Sequence, residues 1–309
     1  MYKELTITIN CNEFDSEYLE LEIEEFTYFL VSEGVLSISH KPFFEFLSYF
    51  DIKNNMSDEV LNFNLLIPIS IDEKEFVKKI SHKYNISILS ITKLASEKDW
   101  IENSKQSYLP TLLLDKIWIG ATWQKELAKN LDDEILKIFI DPGMAFGTGS
   151  HPTTKLCIDS LVSFLKYNKP SRLLDLGCGT GVLSIIACKL GLNEITLVDN
   201  DNDAIKITKN NFLINNLLEK EFSFYTNLNN VEGKFDLIIS NILLKTLAEL
   251  SSIIINKLDV NGVLILSGIL NTQSDELIDV YKKNSKSKIV LKKISTSENW
   301  VCLSNSESL

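Results

Sequence analysis

The chain has 309 residues, 45% hydrophobic and 24% charged, the composition of a soluble globular protein long enough for two domains. Its formal net charge of -11, with no stretch dense in Lys or Arg, opposes long-range attraction to RNA or DNA and suits a basic partner. The five cysteines (Cys11, Cys157, Cys178, Cys188 and Cys302) form no C-x-x-C pair, which argues against a zinc knuckle or a disulfide framework and fits a reducing cytosol.

The chain begins Met1-Tyr2-Lys3-Glu4 without the apolar run of a signal peptide, and its longest apolar runs are far too short to cross a bilayer. A cytoplasmic protein is expected. Residues 1 to 96 read as strand, helix, strand, twice over. Leu5-Thr6-Ile7-Thr8-Ile9 alternates like a strand. Asp15 or Ser16 can cap a helix carrying Leu19, Ile23, Phe26 and Leu30, which Gly34 closes before a strand at Val35 to Ile38. An aromatic, polar insertion (Phe43 to Met56) follows. A strand at Leu61 to Ile69, a helix at Asp72 to Tyr84 and a strand at Ile86 to Leu94 repeat the pattern. No glycine-rich phosphate loop interrupts it, so an α+β ferredoxin-like module is expected, with a recognition role.

Residues 97–130 read as a connector: a short polar helix at Asp99 to Ser107, then two short strands containing Trp118 and Trp123, tryptophans expected to anchor packing. From residue 131 strands and helices alternate, the signature of a parallel α/β sheet, so residues 131–309 form the second domain. A helix is expected at Thr153 to Tyr167. Strands are expected at Arg172 to Leu176, Glu194 to Asp199, Phe235 to Asn241 and Val263 to Ser267. Helices at Val182 to Leu190, Asp203 to Asn215 and Thr246 to Lys257 lie between them, and two late strands, near Lys288 to Lys293 and Trp300 to Leu303, finish the sheet.

The chemistry concentrates in three places. In the first, an apolar strand runs into Asp175-Leu176-Gly177-Cys178-Gly179-Thr180-Gly181 and a helix begins at once. Glycine is required where backbone turns sharply and approaches a ligand closely. A dinucleotide fingerprint would place its third glycine at position 182, which is Val182. The tighter spacing of Gly177, Gly179 and Gly181 suits the amino-acid end of S-adenosylmethionine, which has no pyrophosphate. Next, Asp199 ends the second strand about twenty residues on, where a carboxylate accepts both ribose hydroxyls of an adenosine cofactor. Of its neighbours, Asp203 is expected to cap the following helix.

Third, the strand Phe235 to Asn241 must end at the ligand crevice of such a sheet, delivering an amide that orients an acceptor without deprotonating it. The run Asp141-Pro142-Gly143-Met144-Ala145-Phe146-Gly147-Thr148-Gly149-Ser150-His151-Pro152-Thr153-Thr154 implies a tight loop. His151 or Ser150 can cap the next helix, with Pro152 as its first residue. Thr153 and Thr154 fall in the first helical turn, where backbone N–H groups can meet a carboxylate. His151 is equally suited to capping and to carrying a proton away.

This loop, the Gly177 to Gly181 turn, Asp199 and Asn241-Ile242-Leu243 resemble the ribosomal protein L11 methyltransferase family (PrmA), class I enzymes dependent on S-adenosylmethionine. The resemblance covers almost the whole chain, including Glu97-Lys98-Asp99-Trp100 and the Trp118 strand. It implies a Rossmann-like α/β sheet behind a ferredoxin-like domain that recognises the substrate. It also implies methylation of lysine ε-amines and an N-terminal α-amine on a large-subunit ribosomal protein. Carried over by motif position, the cofactor contacts are Thr154, Gly177, Asp199 and Asn241, with Gly179 and Gly181 completing the turn.

The expected mechanism is in-line transfer to a neutral amine, oriented by Asn241, the carbonyl of Ile242 and His151, with solvent taking the proton. One rival is a glutamine or nucleic-acid N-methyltransferase. Families of that kind carry Asn/Asp-Pro-Pro-Tyr at this strand end, where this chain has Ile242, Leu243 and Leu244. Another is a non-catalytic adaptor that binds the cofactor. No long apolar stripe demands a dimer, so a monomer without a metal is expected.

Overall fold

The structure is a computed structural model and describes residues 2–10, 26, 29–30, 33, 35, 37–40, 60–68, 70–84, 88–95, 109–141, 149–217 and 222–306. The chain divides into two compact units, Met1–Tyr108 and Leu109–Leu309.

The first unit holds an antiparallel sheet of β1 (Tyr2–Asn10), β2 (Ser37–His40), β3 (Val60–Pro68) and β4 (Ile88–Ala95), in the order β2-β3-β1-β4. In β1 the alternation is visible: Leu5, Ile7 and Ile9 are fully buried while Thr6 and Thr8 are half-buried. Their apolar side chains join Phe63, Leu65 and Ile67 of β3 beneath α1 (Glu73–Tyr84), which contributes Phe76 and Ile80. The Asp72 carboxylate accepts from the amide of Glu75 at 3.0 Å and so caps α1. Of the first expected helix, Phe26, Phe29 and Leu30 are helical and buried; the rest of it, the 43–56 insertion and the 99–107 helix lie outside the described residues.

The second unit opens with β5 (Thr111–Leu113) and β6 (Ile117–Gly120), a 3-10 turn (Thr122–Gln124) and α2 (Lys125–Lys129). With β7 (Leu136–Phe139) these strands form a small sheet ordered β5-β6-β7. Trp118 is buried in β6 and packs edge-on to Phe139 at 5.5 Å. Trp123 is not in a strand, contrary to the expectation from sequence: the chain turns at Thr122–Gln124 and leaves it partly exposed.

The rest is a seven-stranded sheet with helices between its strands: α3 (Pro152–Tyr167), β8 (Arg172–Leu176), α4 (Val182–Lys189), β9 (Glu194–Val198), α5 (Asn202–Ile214), β10 (Ser223–Tyr225), β11 (Phe235–Asn241), α6 (Leu244–Lys257), β12 (Leu258–Leu270), α7 (Ser274–Asn284), β13 (Lys292–Ser297) and β14 (Trp300–Ser304). Strand order is β10-β9-β8-β11-β12-β14-β13. The first five strands are mutually parallel, and β14 runs antiparallel to both β12 and β13. The central strands are nearly continuous apolar runs because both faces are covered, with Leu174, Ile238, Leu264 and Leu266 buried.

From β8 the chain winds outward through β9 and β10, then returns to β11 on the opposite side. The order therefore reverses between β8 and β11, whose register pairs Leu176 with Ser240. A crevice opens beyond the strand ends at such a reversal, and there ligands bind.

Candidate active site

Strand β8 delivers the chain into the glycine turn. Gly177, Gly179 and Gly181 have φ of +74°, +52° and +80°, the left-handed region that side chains resist. Both Gly177 and Cys178 donate their amides to the carbonyl of Val198, at 2.7 and 3.1 Å, tying the turn to the end of β9. A Cβ on Gly177 would lie 2.3 Å from Cγ2 of Ile242, and one on Gly181 2.7 Å from Cγ2 of Thr208. Conformation and space both demand glycine here.

Asp199 follows β9 directly. One carboxylate oxygen accepts from the amide of Gly179 at 2.9 Å and the other from the amide of Asp201 at 3.0 Å. Backbone N–H groups thus aim the carboxylate and hold it against the turn. Helix α5 is capped by Asp201, whose side chain accepts from the amide of Asp203 at 2.8 Å. The expectation that Asp203 caps is corrected: Asp201 has the extended backbone a cap needs, whereas Asp203 is already inside the helix.

Beneath the turn lies Asp175, fully buried. The Ser184 hydroxyl donates to one of its oxygens at 2.6 Å, and the other has no hydrogen-bond partner. Burial pushes this carboxyl up to about 7; the Ser184 hydrogen bond pulls it down, and the Asp199 charge pushes it up again.

Across the reversal, β11 ends in Asn241. Its amide nitrogen donates to the Thr154 hydroxyl at 3.3 Å, while its buried amide oxygen has no partner. With one N–H of the amide engaged, the oxygen is left to accept, which suits an amine N–H. The following residue, Ile242, is held from behind by its amide, which donates to the Ser267 carbonyl at 3.2 Å. Gly268, at φ +86°, lets that backbone approach; a Cβ there would lie 2.6 Å from the Ile242 carbonyl oxygen.

His151 caps α3: its Nδ1 accepts from the amide of Thr153 at 3.3 Å and lies 2.7 Å from the Thr153 hydroxyl. Pro152 is the first helical residue, where its missing N–H leaves no bond unmade. The His151 ring meets Trp300 edge-on at 5.2 Å. Thr153 and Thr154 are buried in the first turn. Of the loop ahead of the helix, residues 142–148 lie outside the described residues. Its entry, Asp141, accepts from the amide and hydroxyl of Thr122 at 2.8 and 2.9 Å.

The structure therefore brings Thr154 to Asn241, Asp199 to Gly179, and Ile242 against Gly177. The arrangement fits S-adenosylmethionine: a backbone turn stripped of Cβ atoms, a carboxylate locked beside it, and a buried amide oxygen without a hydrogen-bond partner. Asp175 was read as the head of the glycine turn; Gly268, Thr208 and Asn211, which complete the surroundings, and Asn215 nearby escaped the reading of the sequence. For the last three the visible signal was a polar stripe at i, i+3 and i+7 of one helix.

A family model described as ribosomal protein L11 methyltransferase (PrmA) matches residues 3–308. A ribosomal protein L11 methyltransferase of Prochlorococcus marinus (strain AS9601) is 34% identical over 308 residues, covering 93% of each chain. One from Geotalea uraniireducens (strain Rf4) is 38% identical over 192 residues, covering 59% of this chain and 60% of the relative. Among solved structures, a ribosomal protein L11 methylase from Lactobacillus delbrueckii subsp. bulgaricus superposes with a TM-score of 0.56 at 27% identity, covering 64% of this chain and 97% of the other.

Proposed function

The chain belongs to the ribosomal protein L11 methyltransferase (PrmA) family, and on that premise we propose that it transfers methyl groups from S-adenosylmethionine to ribosomal protein L11, on lysine ε-amines and the N-terminal α-amine. The fold is that of the class I methyltransferases, and the chain is an S-adenosylmethionine-dependent protein methyltransferase. One observation carries the choice of an amine: the buried Asn241 oxygen without a partner, beside a nitrogen already committed to Thr154.

In this reading Gly177, Gly179 and Gly181 admit the cofactor to the backbone, Asp199 takes its ribose hydroxyls, and Thr154 and Asn241 line the crevice. When bound, S-adenosylmethionine supplies a methyl group on positively charged sulfur, which leaves as a neutral thioether. The acceptor must present a lone pair, so a lysine ammonium, with an ordinary pKa near 10.4, gives its proton to solvent first. The Asn241 oxygen and the Ile242 carbonyl then accept the remaining N–H groups and point the lone pair along the transfer axis. His151 supports this from the base of α3, where its cap fixes the turn carrying Thr154.

The N-terminal unit, with sheet order β2-β3-β1-β4, is read as a ferredoxin-like module that recognises the protein substrate. With a ribosomal target we expect a cytoplasmic monomer. Among the described residues no helix is long and apolar enough to cross a membrane.

The test is incubation of purified protein with methyl-labelled S-adenosylmethionine and recombinant L11, followed by peptide mass spectrometry. Added mass in 14 Da steps on lysine and on the N-terminus is the expected result; binding of the cofactor without label in L11 would favour an adaptor.

A further inference from the structure

Helix α5 carries an arrangement that the chemistry above does not use. Thr208 and Asn211 share one face of the helix, Asn215 is its C-cap, and all three are buried. A buried amide is unfavourable unless its hydrogen bonds are supplied, and here main chain supplies them. The Thr208 hydroxyl donates to the Gly179 carbonyl at 2.6 Å. The Asn211 amide nitrogen donates to the Thr180 carbonyl at 3.0 Å, and its oxygen accepts from the amide of Asp141 at 3.1 Å. Asn215 donates to the Phe139 carbonyl at 2.6 Å and accepts from the Phe139 amide at 3.0 Å.

Apolar side chains would pack the helix as well but would leave the neighbouring backbone free to slide. Hydrogen bonds of this kind fix direction as well as contact. They draw the successive carbonyls of Gly179 and Thr180 toward α5. Because each peptide is planar and trans, the N–H groups of those same peptides point the other way. The orientation of the cofactor turn is thus set from another helix.

From this geometry we infer that Asn211 is a positioning residue for methyl transfer. Its single amide registers the Gly177–Gly181 turn against Asp141, where the 142–148 segment begins. The inference rests on the function proposed above. Asn215 supplies an internal contrast, because it is the same residue type one turn further on and equally buried but makes no bond to the glycine turn.

The test uses the full chain, Asn211→Ala and Asn215→Ala. S-adenosylhomocysteine affinity is measured by calorimetry, kcat and KM in the L11 assay, and amide exchange by mass spectrometry. Asn211→Ala should raise the dissociation constant about tenfold or more, the loss of one to two buried hydrogen bonds. It should also lower kcat and speed exchange at the Asp141 amide. Asn215→Ala should lower Tm while leaving the dissociation constant within about twofold, since no bond to the turn is lost. If Asn211→Ala does not fold, Asn211→Ser takes its place. Wild-type affinity in a folded Asn211 variant, unchanged exchange at Asp141, or equal weakening by Asn215→Ala would overturn the inference. A wild-type chain that binds S-adenosylhomocysteine but never labels L11 would instead overturn the proposed function, and the affinity and exchange data would still decide the role of Asn211.

Discussion

The side-chain amide of Asn241 donates to the Thr154 hydroxyl across 3.3 Å, joining the end of β11 to the first turn of α3. The bond commits one N–H of Asn241 to the protein, and in the proposed mechanism its oxygen is left for the substrate. Asn241→Ala should therefore lower kcat more than cofactor affinity. Loss of an orienting hydrogen bond predicts a fall of about a hundredfold in kcat, with S-adenosylhomocysteine affinity changed several-fold at most. Steady-state kinetics beside calorimetry would settle it, and full turnover would remove the orienting role.

Asp199 is oriented before any ligand arrives, because the amides of Gly179 and Asp201 each meet one of its oxygens. Asp199→Asn puts an NH2 where one amide already donates, so the side chain must swing away or break that bond. Hydrogen bonds to a charged group contribute about 1.5–3 kcal/mol, so affinity for S-adenosylhomocysteine should fall about ten- to a hundredfold. Unchanged affinity would mean the ribose is held elsewhere.

Gly177→Ala combines a positive φ with a methyl 2.3 Å from Ile242 Cγ2. Ile242 cannot retreat freely, since its amide is bonded to Ser267 and its carbonyl lies against Gly268. A loss of about 1–3 kcal/mol is expected in denaturant unfolding, together with weakened cofactor binding. A variant of wild-type stability and affinity would show that the turn relaxes in a way the backbone geometry does not suggest.

Asp175 makes stability depend on pH. Its folded value of about 7 lies above the ordinary 3.8. Between those values the folded protein holds a proton that the unfolded chain has released. This contribution is complete below about pH 4 and is lost as pH rises through 7, at ~1.4 kcal/mol per pH unit. Asp175→Asn removes it, so the stability difference between wild type and variant should shift by about 2 kcal/mol against wild type from pH 5 to pH 7. Urea unfolding at both pH values measures it; a constant difference would mean that the carboxylate ionises normally.

The glycine turn was legible because three glycines at alternate positions after an apolar strand have few other uses, and their positive φ values are that use. Asn241 was legible from strand polarity alone, since a parallel strand must end at the crevice. Asn211 and Asn215 were not: their partners are backbone groups 70 and 76 positions away, and no local pattern marks which carbonyl a helix will meet. Helix α7 was passed over because its apolar residues, Leu277, Ile278, Val280 and Tyr281, fall within five positions and show no repeat over a second turn. The capping aspartate was misplaced by two residues because Asp201 and Asp203 are chemically identical, and only backbone conformation separates them.

The pairing of Asn215 with Phe139 also finishes the margin of a sheet. Strand β7 bonds to β6 through residues such as Leu136 and Ile140, so the polar groups of Phe139 face the open border of that small sheet. A strand border left unpaired away from water costs a donor and an acceptor. Here a single side-chain amide imitates the missing neighbour and satisfies donor and acceptor together. Removing it would strand a donor and an acceptor of the main chain in the interior, and earlier unfolding on heating is the phenotype to look for.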